Sequence, residues 1–218
     1  MNQFVSSERS AIGSDRGNKT VSAYPFSDWV GQKVTSSPPS FISRRNYLPG
    51  DPNFLWLIRK GFVRTFTYTE NGGTATLGIW GSGDIIGPSL SLVPCYFMES
   101  ITSVEALPIS TKEWQPPLEI ILKYWQETEC LLLARAEMSV SLILMNILNW
   151  LSKRFGQPNP NGLLIDLNLT HQDLSDLCGT SRVTITRLLK QFEENGVIFR
   201  DSRKITLVST TKPWHYEI

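Results

Sequence analysis

The stretch from Leu169 to Val197, LTHQDLSDLCGTSRVTITRLLKQFEENGV, constrains the fold of this chain more than any other. It contains two short amphipathic segments on either side of Gly179, which permits the sharp bend that a compact helix pair needs. Thr170 and Ser181 can cap the first turn of each helix through their hydroxyls. The second segment carries the basic residues Arg182, Arg187 and Lys190. A helix-turn-helix of this kind can lay its second helix in a DNA major groove, and the alternative is an ordinary surface helix pair.

The second helix begins with a recognisable motif, SRVTITRLL, at Ser181–Leu189. This motif resembles the recognition helix of the CRP/FNR family of transcription regulators, and it is most similar to the NtcA-like, cyanobacterial type. The resemblance extends over residues 199–208 and 138–158, and more weakly over residues 41–109. It implies an α+β fold with an N-terminal antiparallel β-roll of the cyclic-nucleotide-binding kind, a long dimerisation helix and a C-terminal winged helix-turn-helix. It also implies a dimer that binds a palindromic site in double-stranded DNA.

Three side chains at the start of this helix are predicted to read bases. The planar forks of Arg182 and Arg187 can each bond guanine O6 and N7, and Val183 can contact a thymine methyl. Relatives with a glutamate at the Val183 position read cytosine there, so valine implies an NtcA-like site with GT…AC ends. Arg187 has two alternatives, which are a phosphate contact or an ion pair with Glu193 or Glu194.

A second group of side chains is predicted to hold phosphates. Hydroxyls and amides at helix starts suit this role because the backbone N–H groups there favour anions. Such contacts fix the register of the protein on DNA without carrying sequence information. Simple helix capping is the alternative for the hydroxyls. Four residues are assigned by the family resemblance and two more lie on the predicted wing: Thr170, Gln172, Ser181 and Thr184, then Arg203 and Lys204.

The chain divides into four predicted parts. Residues 1–35 form a disordered or loosely attached segment, which includes a possible short helix over Tyr24–Val34. Residues 36–111 are the β-roll, because short alternating strands are separated by turn signals, of which Asn71-Gly72-Gly73 is the strongest. Residues 112–136 are the dimerisation helix, and residues 137–218 are the winged helix-turn-helix, with a strand predicted over Leu163–Leu169 before the helix pair.

The dimerisation helix is predicted from an apolar repeat, with Pro116 and Pro117 in its first turn. This stripe could bury against the roll, whereas the resemblance implies that it pairs with its copy in a second subunit as a coiled coil. A hinge is expected near Arg135–Glu137, before a second helix over Glu137–Phe155. The predicted stripes are Leu118, Leu122, Trp125, Leu132 and Ala136 in the first helix, and Met138, Leu142, Met145, Leu148, Trp150 and Leu151 in the second.

The sensor function of the roll is the least constrained feature. Pro88-Ser89-Leu90 follows Gly87 without an acidic residue, and Cys95–Thr102 contains no arginine, so a cyclic nucleotide would lack its usual partners. The NtcA-like resemblance implies 2-oxoglutarate, and an ungapped alignment gives Tyr124 in place of a pocket arginine and Glu129 at an acidic position nearby. A buried dianion needs cationic or N–H partners. The alternatives are therefore 2-oxoglutarate, a less charged effector of unknown identity, or none.

Composition excludes several other classes of protein. The net charge of the chain is only +1, and residues 151–218 contain nine basic and seven acidic residues. DNA binding would therefore depend on where the basic side chains lie on the surface and not on their number. Cys95, Cys130 and Cys178 form no CxxC motif, so no metal or cofactor site is predicted and a reducing, cytoplasmic setting is expected. His171 and His215 both lie outside the roll, which excludes histidine-ligated haem there.

The chain is not predicted to be an enzyme, because the sequence contains no nucleophile–base pair, metal-spaced ligand set or phosphate loop. Two further hypotheses concern its partners. A protein that kept the fold but binds another protein instead of DNA is the main alternative. The Pro158–Gly162 loop is predicted to contact RNA polymerase, as the matching loop does in activators of the family.

Overall fold

The computed structural model describes residues 38–112, 114–116 and 118–208. These residues belong to one compact unit that spans residues 36–218. The predicted N-terminal segment 1–35 and its possible helix over Tyr24–Val34 lie outside the described residues.

Two antiparallel sheets form the roll, as the turn signals predicted. The strands are β1 Ser40–Ile42, β2 Phe54–Lys60, β3 Val63–Tyr68, β4 Thr74–Trp80, β5 Ile85–Ile86, β6 Phe97–Ser100 and β7 Val104–Ser110. The first sheet has the strand order β1-β7-β2-β5 and the second has the order β4-β3-β6. The core of the roll lies between these two sheets and includes Trp56, Val63 and Trp80.

Tight connections in the roll depend on glycine at one position above all. Gly61 joins β2 to β3 with a φ of 87°, and a Cβ there would lie 2.1 Å from the carbonyl oxygen of Ser103. The predicted Asn71-Gly72-Gly73 hairpin is confirmed, since β3 pairs with β4 from Tyr68 opposite Thr74 and the Thr69 N–H donates to the Gly73 carbonyl at 2.8 Å.

Two helices follow the roll, α1 at Leu118–Ala134 and α2 at Val140–Phe155, and both are shorter than predicted. Pro116 precedes α1 instead of occupying its first turn, because a proline disfavours helical backbone in the residue before it. The predicted apolar face of α2 is confirmed at Leu148, Trp150 and Leu151, which are buried together with Leu144 and Ile147. Leu142 and Met145 are only partly buried, and Met138 lies outside the helix and is fully exposed. Among the described residues, no helix is long and apolar enough to cross a membrane.

The C-terminal part, from α2 to β11 (residues 140–208), is called the reading head here. After α2 come β8 Gln157–Asn159, β9 Gly162–Ile165, α3 His171–Cys178, α4 Arg182–Glu194, β10 Ile198–Asp201 and β11 Lys204–Val208. The two short helices α3 and α4 pack beside a four-stranded antiparallel sheet of order β10-β11-β9-β8.

Two predictions about the sheet of the reading head were wrong. The predicted loop Pro158–Gly162 is not a loop throughout, since Gln157–Asn159 pairs with β9 and makes a hairpin with Pro160 and Asn161 at its turn. The strand predicted over residues 163–169 ends at Ile165, and Asn168 adopts a φ of 53°, a left-handed conformation that no strand continues through. The predicted wing is present as β10 and β11, with a two-residue turn between Asp201 and Lys204.

Candidate nucleic-acid interface

Local hydrogen bonds explain why the sequence forms a helix-turn-helix here. Thr170 accepts from the Asp173 backbone N–H at 3.1 Å, and the Asp173 carboxylate accepts from the Thr170 backbone N–H at 2.7 Å, which is a complete capping box. Gly179 ends α3 in the left-handed conformation, with a φ of 65°. Ser181 then caps α4 by accepting from the Thr184 backbone N–H at 3.1 Å. The predicted helix starts and the bend between them are therefore present.

Packing decides which face of α4 points outward. Leu174 and Leu177 of α3 are buried against the inner face of α4, and the two helices share one hydrophobic core with α2 and the wing sheet. That core also takes in Ile79 and Ile101 from the roll. The buried side chains of α4 are Ile185, Leu188, Leu189 and Phe192. The remaining face of α4 is left to solvent.

All three predicted base readers lie on this outer face. Val183 is 79% exposed, and Arg182 and Arg187 are exposed as well. Arg182 and Arg187 are five residues apart and so project about 140° apart around the axis. The ion-pair alternative for Arg187 is not what the structure shows: Glu193 pairs with Arg200 at 2.5 Å, and Glu194 pairs with Lys190 at 3.6 Å. Within residues 118–208, Arg187 has no ion pair.

Two of the predicted phosphate contacts are already engaged within the protein. The Thr170 hydroxyl donates to Asp173 Oδ2 at 2.7 Å, and the Thr170 backbone N–H donates to the same oxygen. Gln172 Nε2 donates to Asp176 Oδ1 at 2.7 Å, which leaves its second amide hydrogen available. A phosphate contact by Thr170 would therefore require its hydroxyl to leave Asp173.

The other four predicted phosphate contacts differ in availability. Ser181 Oγ and Thr184 Oγ1 are 2.9 Å apart, so one hydroxyl hydrogen joins them and the other remains free to donate. Arg203 is exposed at the turn of the wing. Lys204 Nζ lies 2.8 Å from Asp166 Oδ2, and this partner raises the pKa of Lys204. Arg203 is consequently the more available of the two wing cations.

Sequence reasoning missed one link between the two helices. His171 Nδ1 lies 2.8 Å from Thr186 Oγ1, while the Thr186 hydroxyl donates to the Arg182 carbonyl at 2.9 Å. Because that hydroxyl hydrogen is already used, His171 must donate from Nδ1, which leaves Nε2 as an acceptor. Burial, with nearby Arg200 and Arg182, lowers the pKa of His171. No local sequence signal pairs residues 171 and 186, which meet only through the helix crossing.

The two predicted effector-pocket residues do not meet at one pocket. Tyr124 stacks on Trp80 of the roll, with ring centroids 4.6 Å apart and planes 4° apart, and burial raises its pKa. Glu129 is exposed on α1 and accepts from Trp125 Nε1 at 2.6 Å. Tyr124 and Glu129 are five positions apart on α1, so their side chains project about 140° apart around the helix axis. Among the described residues, no group of three or more His, Cys, Asp or Glu side chains is placed to hold a metal ion.

An antiparallel roll followed by a helix and a winged helix-turn-helix with an exposed basic face defines a class of transcription regulator. Residues 144–212 match the family model described as a Crp-like helix-turn-helix domain. Over 171 residues the chain is 40% identical to the regulatory protein CysR of Synechococcus elongatus, covering 75% of this chain and 81% of that protein. It is 31% identical over 183 residues to the global nitrogen regulator of a Synechocystis species, covering 76% and 81%.

The chain therefore belongs to the CRP/FNR family of transcription regulators, and its relatives include cyanobacterial members. Solved structures agree on the α+β fold. The c-di-GMP-responsive regulator CLP of Xanthomonas campestris has a TM-score of 0.66 at 21% identity, covering 84% of this chain and 100% of that one. A CRP-family regulator of Thermus thermophilus has a TM-score of 0.63 at 16% identity, covering 78% and 92%. The predicted family, its cyanobacterial type, the fold class and the function as a transcription regulator are confirmed.

Proposed function

We propose that this protein acts as a homodimer that binds a palindromic DNA site, with α4 of each subunit in a major groove. The observation that carries the proposal is the outer face of α4, where Arg182, Val183 and Arg187 are exposed together. Two arginine forks and one apolar side chain suit guanines and a thymine methyl. Ser181, Thr184 and Arg203 supply the phosphate contacts that hold the helix in register.

The exposed stripe of α1 supports the dimer. Positions 118, 122, 125, 129 and 132 alternate in steps of four and three, which is the heptad spacing of a coiled coil. Four of them are large apolar side chains that a single chain leaves in water: Leu118, Leu122, Trp125 and Leu132 are 49–69% exposed. Glu129 is the one polar member, and a single polar residue in such a seam fixes the register of the two helices. We propose that this stripe meets its copy in the partner subunit.

Footprinting on the region upstream of the protein's own gene tests the DNA proposal. Wild-type protein should protect a palindromic site and lose affinity steeply as salt rises. Arg182→Ala should abolish the specific protection, whereas the control Arg59→Ala should not, because Arg59 lies on the roll and is 55% exposed in its side chain. Equal protection by Arg182→Ala and wild type would refute the proposed reading role.

We further propose that the β8–β9 hairpin contacts RNA polymerase. Its turn, Pro160-Asn161, is exposed, and so are Gln157 and Pro158. Substitutions at Pro160 and Asn161 should leave DNA affinity unchanged and reduce transcription activation in a reconstituted assay. Unchanged transcription would overturn this part of the proposal.

For the sensor, we propose that neither a cyclic nucleotide nor 2-oxoglutarate is the effector. The space that faces α1 beside Trp80 is occupied by the Tyr124 ring, and Arg154, which lies 5.1 Å from the Trp80 centroid, is already paired with Asp84 at 2.6 Å. A dianion there would lack a free cationic partner. Isothermal calorimetry with each compound should give no heat of binding, and saturable binding of 2-oxoglutarate would favour the alternative of an NtcA-like effector.

The relatives are transcription regulators, and we propose that this chain likewise has no enzymatic activity. We also propose a cytoplasmic location. Its support is the state of the three cysteines, Cys95, Cys130 and Cys178, which are all free.

A further inference from the structure

Five charged side chains meet where α3 of the reading head packs on the roll. We call them the roll–head cluster: Arg45, Arg64, Glu99, Asp173 and Asp176. Arg64 on β3 lies directly opposite Glu99 on β6 in the sheet register. Asp173 and Asp176 are three residues apart on α3, so both carboxylates can face the same neighbour.

The contacts in the roll–head cluster include one bidentate pair and one guanidinium that joins two carboxylates. Arg45 donates two hydrogen bonds to the Asp173 carboxylate, from Nη1 to Oδ1 at 2.9 Å and from Nη2 to Oδ2 at 2.5 Å. Arg64 bridges the two parts of the molecule, with Nη1 2.7 Å from Asp176 Oδ2 and Nη2 2.7 Å from Glu99 Oε2. Two parallel hydrogen bonds between a guanidinium and a carboxylate fix the relative orientation of the two side chains and also strengthen their attraction. The cluster therefore specifies an angle between α3 and the roll.

Burial makes the roll–head cluster sensitive to the loss of any member. Arg64, Glu99 and Asp173 are 7%, 8% and 2% exposed. Two guanidinium groups face three carboxylates, so the cluster already has one excess negative charge. Removing one arginine would leave three carboxylates with a single guanidinium, because Glu99 and Asp173 each contact both arginines, and this excess of buried negative charge strongly disfavours the packed arrangement. Arg45 also has a φ of 66°, an uncommon conformation for a non-glycine residue that positions its side chain at Asp173.

The same carboxylates hold the DNA-facing start of α3. Asp173 accepts both hydrogens of Thr170, and Asp176 accepts one from Gln172. Arg135 also connects the roll to α3, because it donates to the carbonyls of Leu177 in α3 and Thr76 in β4 at 2.8 and 2.7 Å. While all these contacts are made, Val183 on the reading face of α4 remains 79% exposed. DNA can therefore reach the outer face of α4 while the contacts between α3 and the roll are made.

We propose that the roll–head cluster sets the orientation of the reading head on the roll and so fixes the separation of the two α4 helices in a dimer. Arg45 and Arg64 are positioning residues for DNA recognition, and they act through Asp173 and Asp176 without contacting bases. The inference rests on the proposed function, because a fixed separation matters only to a dimer on a palindrome. Releasing the cluster lowers the effective concentration of the second reading head at its half-site and leaves the binding of one half-site unchanged.

The test measures the affinity of the dimeric protein for a full palindrome and for DNA with a single half-site. Arg64→Met should weaken binding to the palindrome by roughly tenfold or more, and change binding to DNA with a single half-site by less than about twofold. It should also bind palindromes with one or two base pairs added between the half-sites almost as well as the original. Arg59→Met removes one arginine from the roll surface, where Arg59 lies 3.9 Å from Glu105, and it should match wild type throughout.

A second variant and a measurement without DNA test the same role of the roll–head cluster. Arg45→Met changes a side chain that is 32% exposed, so it should fold even if Arg64→Met does not, and it should show the same loss for the palindrome alone. Differential scanning calorimetry should show one transition in wild type and two in the variants, as the roll and reading head unfold separately. Unchanged palindrome affinity with a single transition overturns the inference. If wild type binds no specific DNA, the proposed function fails and the calorimetry alone decides whether the cluster couples the two parts.

Discussion

Val183 occupies the outer face of the recognition helix, where it can offer DNA only an apolar contact. It lies between Arg182 and the Thr184 hydroxyl, which is shared with Ser181. In the proposed complex this side chain faces a base edge, while the cap of α4 holds its neighbours in place. A single substitution should therefore alter preference without altering the fold.

Val183→Glu should change the preferred base to cytosine at one position of each half-site. The carboxylate accepts from the cytosine amino group, and a pairing of this kind is worth about 1–3 kcal/mol of discrimination. Selection from random DNA with the variant and with wild type measures the change. Val183→Ala is the matched control and should keep the wild-type preference. An unchanged site in the glutamate variant would show that residue 183 does not face the bases.

Cys178 provides a test of the packing between the two helices. Burial raises the pKa of the Cys178 thiol to about 12, with Arg135 acting in the opposite direction, so the reactive thiolate is scarce at neutral pH. Cys95 and Cys130 are exposed. In native protein, a thiol reagent followed by peptide mapping should label Cys95 and Cys130 and spare Cys178. Rapid labelling of Cys178 would mean that α3 is not packed as described.

At the scale of elements, the sequence predicted best what is encoded locally. Thr170, Ser181 and Gly179 act through hydrogen bonds and backbone conformation within a few residues, and the helix-turn-helix was found at its correct position. The buried face of α2 was predicted correctly at Leu148, Trp150 and Leu151 but not at Met138 and Leu142, which are as apolar as the buried Leu144. Which of them is buried depends on the neighbours that α2 meets. The Tyr124–Trp80 stack and the His171–Thr186 link were missed for the same reason, since each joins distant segments.

The exposed stripe of α1 yields the prediction for the dimer. Leu122→Glu places a charge in the proposed seam and should convert the dimer to monomers, as measured by sedimentation velocity, with a loss of affinity for the palindrome. Gln126→Glu adds the same charge at an exposed site next to the stripe and should remain dimeric. A monomeric wild type, or a dimeric Leu122→Glu, would contradict the assignment of α1.

At the scale of the whole molecule, roll and reading head are joined by a shared core and by buried charge. Ile79 and Ile101 of the roll pack among the side chains of the reading head, and the roll–head cluster lies at the same contact. The sequence predicted the two parts but not this junction, because Arg45 and Asp173 are 128 residues apart and carry no pattern that pairs them.

Acid should weaken this junction. Burial would raise the pKa of Asp173, but the hydrogen bonds from Arg45 and Thr170 outweigh it, and the pKa is lowered from 3.8. The stabilisation is therefore present above the ordinary pKa and is lost as the pH falls through the lowered value. Asp173→Asn should reduce the free energy of unfolding by about 1.5–3 kcal/mol at pH 6. Urea unfolding at several pH values should show the difference from wild type shrinking below pH 4 (roughly the ordinary pKa of the group); a difference independent of pH would contradict the ion pair.

The central claim is that two copies of the exposed face of α4 read DNA together. Selection of bound sequences from random DNA by the purified dimer tests it most directly. The expected result is a palindrome whose half-sites are centred about 34 Å apart, one turn of the duplex, and no enriched sequence for Arg182→Ala. Enrichment of no sequence by wild type, or of the same palindrome by Arg182→Ala, would contradict the claim.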